Sequence, residues 1–433
     1  MSIKSDKIKE TLSATKLRRL NQTCHVYEVK IDKSKLSKSM EYTLIRLFCE
    51  AKWFYNAALG SDSFYDFDTK VKSVPVKVED DFEQRDLTIL GSQIKQSIIS
   101  RMSDATKALH SLKLKGKKVG KLKFASFINS IPLKQFGNTF KILDNKRITI
   151  SNIKEPLYTH GLEQLDNLEI ANANLIQRGT DYYLKVTTYK DKVQKNTPYS
   201  NVGVDFNIEA GSQIVLNNGI AFGFNIEAHK DDRIKNYQRK LARQDRTNKK
   251  FGRKKYTKNR LKTKQKLQSL HQKHTNKKNE IRNQIVSALN KNFNTICHQK
   301  ESISGWQRLW GKRISGTALA GIIERLHTSS TTKITDRFVP TTKTCHVCGK
   351  KNKELTLSDT WWTCPKCQTR HNRHINAAIN MLPRSERAST SVESCSSAES
   401  LLELKERFNS IGVLVRRLVE TDISSRRLEA HVL

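Results

Sequence analysis

No run of about 18 apolar residues occurs in the 433-residue chain, so no segment suits a membrane-spanning helix. The opening MSIKSDKIKETLSATKLRRL lacks the apolar stretch of a secretory signal. A cytoplasmic protein with no membrane partner is the expectation. Cysteine is scarce: eight in all, four of them between 345 and 367 as two close pairs, a spacing that points to metal rather than to disulfides. Acidic residues are outnumbered, 42 against 79 Lys and Arg, and the formal charge of +37 calls for a polyanionic partner. What remains, 36% hydrophobic residues over this length, is enough for several cores and for two to four domains.

Residues 24–32, CHVYEVKID, alternate as a strand does. Apolar residues recur at helical spacing over 40–58 and again over 90–112, which predicts a helical block at 41–114. From 117 to 190 the texture turns to short strands, KLKFASF, FKILDNKRITIS, LEIANANLIQRG and DYYLKVTTYK, broken by Asn, Asp and Gly. A small β-barrel formed by 1–40 and 115–195 and wrapped around the helical block is expected. A new unit begins at NVGVDFNIEAGSQIVLNNGIAFGF, two strand-like runs joined by Asn217-Asn218-Gly219. A long polar helical region (226–290), a strand in FNTICHQKESIS and a helix near 313–327 follow. Beyond Pro383 a Ser-rich stretch reads as a linker into an amphipathic tail, 385–433, with no functional reading. The fold class is thus α+β and multidomain.

Cys345-x-x-Cys348, fifteen residues, then Cys364-x-x-Cys367 is a spacing that closes a thiolate tetrahedron about Zn²⁺, and Gly349 and Pro365 suit the tight turns. Four protein ligands leave no open position, so such a zinc would be structural; unligated thiols or a redox pair are the alternatives. Asp205, ending VGVD, and Glu301, after a strand candidate, are ordinary surface acids when each is taken alone. Together they occupy positions from which two-metal nucleases draw carboxylates.

These residues resemble the transposon-encoded TnpB proteins and the miniature type V CRISPR effectors. The most specific part is PTTKTCHVCGKKNKELTLSDTWWTCPKCQTRHNRHINAAINML, residues 340–382; WFYNAAL near 53 and ESISGWQ at 301 are also similar. The resemblance implies a wedge-like N-terminal β-barrel with an inserted helical recognition lobe. It further implies a RuvC-like RNase H domain at 200–340 and 370–384, and a zinc module at 341–369. A guide RNA and double-stranded target DNA would be partners, in a bacterial, nucleoid-associated setting. A homodimer on one guide and a transcription-machinery or sigma-like partner are further candidates.

One departure stands out. Cutting members read HDRD before the NAA motif, and the second Asp is their third metal-binding carboxylate; here the residues are His371, Asn372, Arg373 and His374. The catalytic set is then degenerate: Asp205, Glu301 and His374. An imidazole brings no negative charge to hold paired Mg²⁺ ions, so Mg²⁺ is expected to bind weakly or not at all and cleavage to be lost. Asp336, Glu354 and Asp359 are candidate replacements. Between Arg233 and Arg282 lie about twenty Lys and Arg, and Arg233, Lys235, Arg239, Lys240, Arg243, Arg246, Lys249, Lys250, Arg253, Lys254 and Lys255 are expected to meet phosphates. Trp53, Phe54 and Tyr55 are read as core residues, with base stacking as the alternative. The function expected is RNA-guided DNA binding without cleavage, acting by occupancy or recruitment in transcription regulation. An active RNA-guided endonuclease is the alternative.

Overall fold

The computed structural model describes residues 3–78, 81–192, 199–224, 231–252, 257–327, 329, 331–356, 358–387 and 402–418. The chain divides into two units, 1–193 and 194–433. The first begins with a helix, α1 (Ile3–Leu20), where the sequence suggests only part of a β-domain, and its described side chains are mostly exposed. Strand β1 (Gln22–Ile31) leads into α2 (Lys38–Gly60), which starts where the Ser37 hydroxyl accepts from the Met40 N–H. A hairpin, β2 (Ser73–Val78) and β3 (Asp81–Asp86), interrupts the helical block before α3 (Ser92–Leu114).

Six further strands follow: β4 (Ser130–Leu133), β5 (Phe140–Asp144), β6 (Arg147–Ile150), β7 (Leu157–His160), β8 (Glu169–Arg178) and β9 (Asp181–Asp191). They join β1 in an antiparallel sheet of order β4-β8-β9-β1-β7-β6-β5. The two edge strands, β4 and β5, are consecutive in the chain and joined only by 134–139, so the sheet curls until it is nearly closed. Its inward residues Val29, Ile31, Leu175 and Leu184 share one core with Leu44, Leu47 and Phe54 of α2 and Ile94 of α3. Burial of that face, at about 25 cal/mol per Å² of apolar surface, is what holds helices and sheet together. The stretch 121–127, expected as a strand, forms none; its backbone bonds instead to side chains of α2.

Glu50 lies fully buried in this core. Its carboxylate accepts from the N–H groups of Thr88, Ile89 and Leu90, from the Thr88 hydroxyl and from Arg46. Burial pushes the carboxyl up, but these donors outweigh it and hold it below its ordinary value of 4.5. A depressed carboxyl stabilises the fold fully above that value and loses its contribution as pH falls below it. Glu50→Ala leaves three backbone donors without an acceptor, so we expect at least about 3 kcal/mol of destabilisation in urea at neutral pH. That deficit should shrink as the pH is lowered through 4.5; a constant difference would refute the assignment.

The second unit carries a six-stranded sheet. Its members are β10 (Tyr199–Phe206), β11 (Ile214–Leu216), β12 (Ile220–Phe224), β13 (Phe293–Gln299), β14 (Thr332–Thr335) and, from the far end of the chain, β17 (Val413–Arg417). Between β12 and β13 run α4 (Asp232–Lys250) and α5 (Lys258–Asn292), and between β13 and β14 α6 (Ile303–Gly316) and α7 (Leu319–His327). A small hairpin, β15 (Trp361–Thr363) and β16 (Arg370–Asn372), precedes α8 (Arg373–Met381) and α9 (Arg384–Arg387), and α10 (Lys405–Ser410) leads into β17.

The strand order is β14-β13-β10-β11-β12-β17, with β10, β13 and β14 parallel and the rest an antiparallel meander. Asn217-Asn218-Gly219 makes the β11–β12 turn, Gly219 taking the positive φ of 83° that the tight reversal needs. Alternate residues face opposite layers. Val202, Val204, Phe222 and Phe224 pack with α5 and α7, whereas Val215 and Ala221 pack with Ile375 and Ile379 of α8.

The stretch 385–433 is not wholly a linker and tail. Val413–Arg417 pairs along the whole of β12, from Phe224↔Val413 to Ile220↔Arg417, and Phe408 packs edge-on against Phe222. The five-residue strand buries Val413 and Val415 and exposes Leu414, a period of two too short to stand out within an amphipathic stretch. The Ser-rich stretch 388–401 lies outside the described residues.

Candidate functional site

The two CxxC turns are near copies. In the first, the Gly349 N–H donates to the Cys345 carbonyl and the Cys345 N–H to Lys350; in the second, Gln368 donates to Cys364 and Cys364 to Thr369. Each turn needs one residue at positive φ, Gly349 at 72° and Gln368 at 60°, so the second is made without glycine. The sulfurs of Cys345 and Cys367 lie 3.6 Å apart, those of Cys348 and Cys364 3.5 Å, and all four fall within 4.8 Å of one another. A tetrahedron with Zn–S bonds near 2.3 Å has edges of about 3.8 Å, so the cluster is compatible with structural zinc. The His371 ring, 3.2 Å from the Cys345 sulfur, and Trp362 pack beside it.

This module is tied to α8 by two asparagines one turn apart. The Asn376 amide accepts from the His346 N–H and donates to carbonyls of Thr341, Thr342 and Thr344, and Asn380 donates to Thr341 and Thr344. Between them the backbone of Ala378 presses on Gly203 of β10. A methyl group at Gly203 would stand 1.8 Å from the Ala378 carbonyl oxygen, so only glycine permits that contact. Gly203→Ala should force α8 off the sheet and cost about 3 kcal/mol, read as a lowered urea midpoint. An unchanged midpoint would show that the helix position is not determined there.

That contact sets His374, in the first turn of α8, against Asp205, near the end of β10. The His374 Nδ1–H donates to the Asp205 carboxylate at 2.8 Å, and Nε2 lies 3.3 Å from a carboxylate oxygen of Glu209. Burial disfavours the charged ring, but the bonds to Asp205 and Glu209 outweigh it and push the imidazole up to about 9, which favours the charged form. Glu301 follows β13, the parallel neighbour of β10. Burial raises its carboxyl, the charge of Asp205 adds to this and Arg337 opposes, leaving it at about 7. Asn372 has a structural role, because its side chain caps α8 by accepting from the His374 and Ile375 N–H groups.

Asp205 accepts a hydrogen bond from His374, and position 374 offers nitrogen where a carboxylate would offer oxygen. Of the candidate replacements, Asp359 accepts from the Thr356 N–H and hydroxyl, Asp336 from the Phe338 N–H, and Glu354 is exposed. The acid that does reach His374 is Glu209, which reading the sequence did not single out. Its only signal is its place four residues after Asp205 in the loop that leaves β10.

Among the basic residues, Arg233, Lys235, Arg239, Lys240, Arg243, Arg246, Lys249 and Lys250 all lie on α4 and all are exposed. Arg233 pairs with Asp231 and Lys235 with Asp232. Arg253, Lys254 and Lys255 lie outside the described residues. Helix α4 is braced against α5 by Asp231 with His274 at one end and Asp245 with Arg260 at the other. Among the described residues no helix is long and apolar enough to cross a membrane.

A pair of cysteine knuckles, bound through one short helix to an acid-bearing mixed sheet, defines this second unit. Residues 327–381, from the end of α7 to the end of α8, match the family model described as Cas12f1-like, TNB domain. The chain is accordingly similar to the TnpB and miniature type V effector proteins. It also aligns with a chain from the cryo-EM structure of the Cas12f1–sgRNA–target DNA complex, with a TM-score of 0.45 and 12% identity over 83% of this chain and 99% of that one. No curated protein matches the chain by sequence.

Proposed function

We propose that this protein binds double-stranded DNA under the direction of a guide RNA and does not cut it. The Cas12f1-like match over 327–381 and the charge of +37 support the guided nucleic-acid reading. The strand order β12-β11-β10-β13-β14, an antiparallel meander followed by parallel strands, suits an RNase H-type nuclease domain whose carboxylates would be Asp205 and Glu301. The observation that carries the loss of cleavage is the His374–Asp205 bond. In an active site a metal ion would neutralise Asp205; here a protein cation does. Four thiolates at Cys345, Cys348, Cys364 and Cys367 would hold Zn²⁺ and keep α8 in place, with no part in chemistry.

Without cleavage the product of recognition is an occupied DNA site, which blocks transcription or recruits a partner there. Base pairing with the guide supplies the sequence specificity, and the exposed cations of α4 supply affinity to backbone phosphates.

The test is to purify the protein with its copurifying RNA, sequence that RNA, and incubate the complex with matched plasmid in Mg²⁺ and in Mn²⁺. Guide-dependent binding with intact plasmid is expected. Strand breaks that Asp205→Ala abolishes would make the protein a nuclease and would point to Glu209 as the replacement carboxylate. Absence of any copurifying RNA of defined length would sink the guided reading.

A further inference from the structure

From Ala105 to Leu143 the sequence contains no Asp or Glu, and the segment between α3 and β4, with the last turn of α3, carries Lys113, Lys115, Lys117, Lys118, Lys121 and Lys123. None of the six forms an ion pair among the described residues. Two phenylalanines follow, Phe124 and Phe127, and both face solvent, 68% and 72% exposed. Solvent-facing aromatic rings beside unneutralised lysines form a surface that favours an anionic, aromatic ligand.

The segment is built rather than loose. Asn56 of α2 both donates to the Ala125 carbonyl and accepts from the Ala125 N–H, at 3.0 and 2.7 Å, as a neighbouring strand would. The Tyr55 hydroxyl donates to the Lys123 carbonyl at 3.2 Å. Backbone groups on both sides of Phe124 are thus fixed to the helix while its ring stays largely in solvent. WFYNAAL therefore divides its duties: Trp53 and Phe54 are buried core, whereas Tyr55 and Asn56 hold a surface strap. Next to the strap opens a hollow of about 680 Å³. Its floor is apolar, with Leu59, Phe64, Leu109 and Leu122, and its rim carries Lys113, Lys117, Lys118 and Lys121.

We infer that this strap is a second nucleic-acid site, distinct from α4, which takes unpaired nucleotides: a base stacks on Phe124 or Phe127 or enters the hollow, and the lysines hold the adjoining phosphates. A duplex keeps its base faces stacked and could use only the lysines. An anionic membrane would be met by a convex apolar tip, whereas here the cations surround a concavity with an apolar floor. The inference does not require a guide, so it stands or falls separately from the proposed function.

The experiment uses the purified full-length protein and a 5-iodouracil-substituted single-stranded 20-mer. Photocrosslinks are mapped by mass spectrometry, and competition is measured with unlabelled single strand, blunt duplex and phosphatidylserine vesicles. Crosslinks at Phe124 or Phe127 are expected, displaced at least tenfold more effectively by single strand than by duplex. Phe124→Ala with Phe127→Ala should lower the strap crosslink yield about tenfold with unchanged circular dichroism, and the Trp pair should restore affinity for the single strand. If the Ala variant misfolds, Lys117→Gln, Lys118→Gln and Lys121→Gln together should weaken strap crosslinking and flatten its salt dependence. Crosslinks confined to α4 and α5, equal competition by duplex, or displacement by vesicles would overturn the site. Strap crosslinks retained in a protein that shows no guide-dependent target binding would uphold it while removing the guided reading.

Discussion

Cys364→Ser with Cys367→Ser is expected to reduce bound zinc from about one ion per chain to none and to unfold residues 341–372. Structural zinc in comparable small modules contributes apparent binding free energies of about 10–16 kcal/mol, more than so small a core can replace. Among the described residues the module's buried cluster consists of the cysteines with Leu355 and Trp362. The damage should spread. Asn376 and Asn380 spend their amides on backbone carbonyls of Thr341, Thr342 and Thr344, so unfolding the loop removes the partners that locate α8. Metal analysis together with hydrogen exchange reads both effects. Loss of protection in 341–381, including α8, is expected; a zinc-free wild-type protein with the same protection would refute the metal assignment.

The second large effect concerns the buried ion pair. The side chains of His374 and Asp205 are only 11% and 13% exposed. Removing one partner of such a pair leaves the other charge without compensation, at a cost of about 3–5 kcal/mol. Asp205→Ala should therefore destabilise the second unit by that amount, since Glu209 alone, one-third exposed, compensates His374 weakly. His374→Ala alone should cost less, because Asp205 can regain water or a counterion. The double variant should be more stable than Asp205→Ala, with a coupling of at least about 1.5 kcal/mol in the double-mutant cycle. Additive effects would mean that the two side chains do not interact, and the proposal that the protein binds DNA without cutting it would lose its support. In a site that relies on metal the opposite pattern holds: acids clustered without their ion repel, and removing one relieves the fold.

Much of this is legible in the chain itself, and the exceptions have physical reasons. The cysteine knuckles, the turn at Asn217-Asn218-Gly219 and the helices over 40–58 and 90–112 announce themselves through local rules of turn chemistry and apolar period. The stretch 121–127 does not, because alternating apolar residues predict a strand only where another strand supplies hydrogen bonds; here Tyr55 and Asn56 supply them. Likewise β17 depends on an unpaired edge some two hundred residues earlier. In the sequence His374 is simply a missing carboxylate, which is as far as composition goes. Its bond to Asp205 and its reach to Glu209 follow from the packing of Ala378 on Gly203, and nothing in the spacing of those residues encodes an angle.

The late strand also constrains how the protein can be made. All five residues of β12 are buried, and β17 supplies the hydrogen bonds along one of its edges. During synthesis that edge must wait until residue 417 has cleared the ribosome, nearly two hundred residues after β12 itself emerged. An apolar, unpaired edge held open for so long is a template for intermolecular pairing. The nascent chain should accordingly depend on chaperones, or on early capture of its basic surface by RNA, more heavily than its finished fold would suggest.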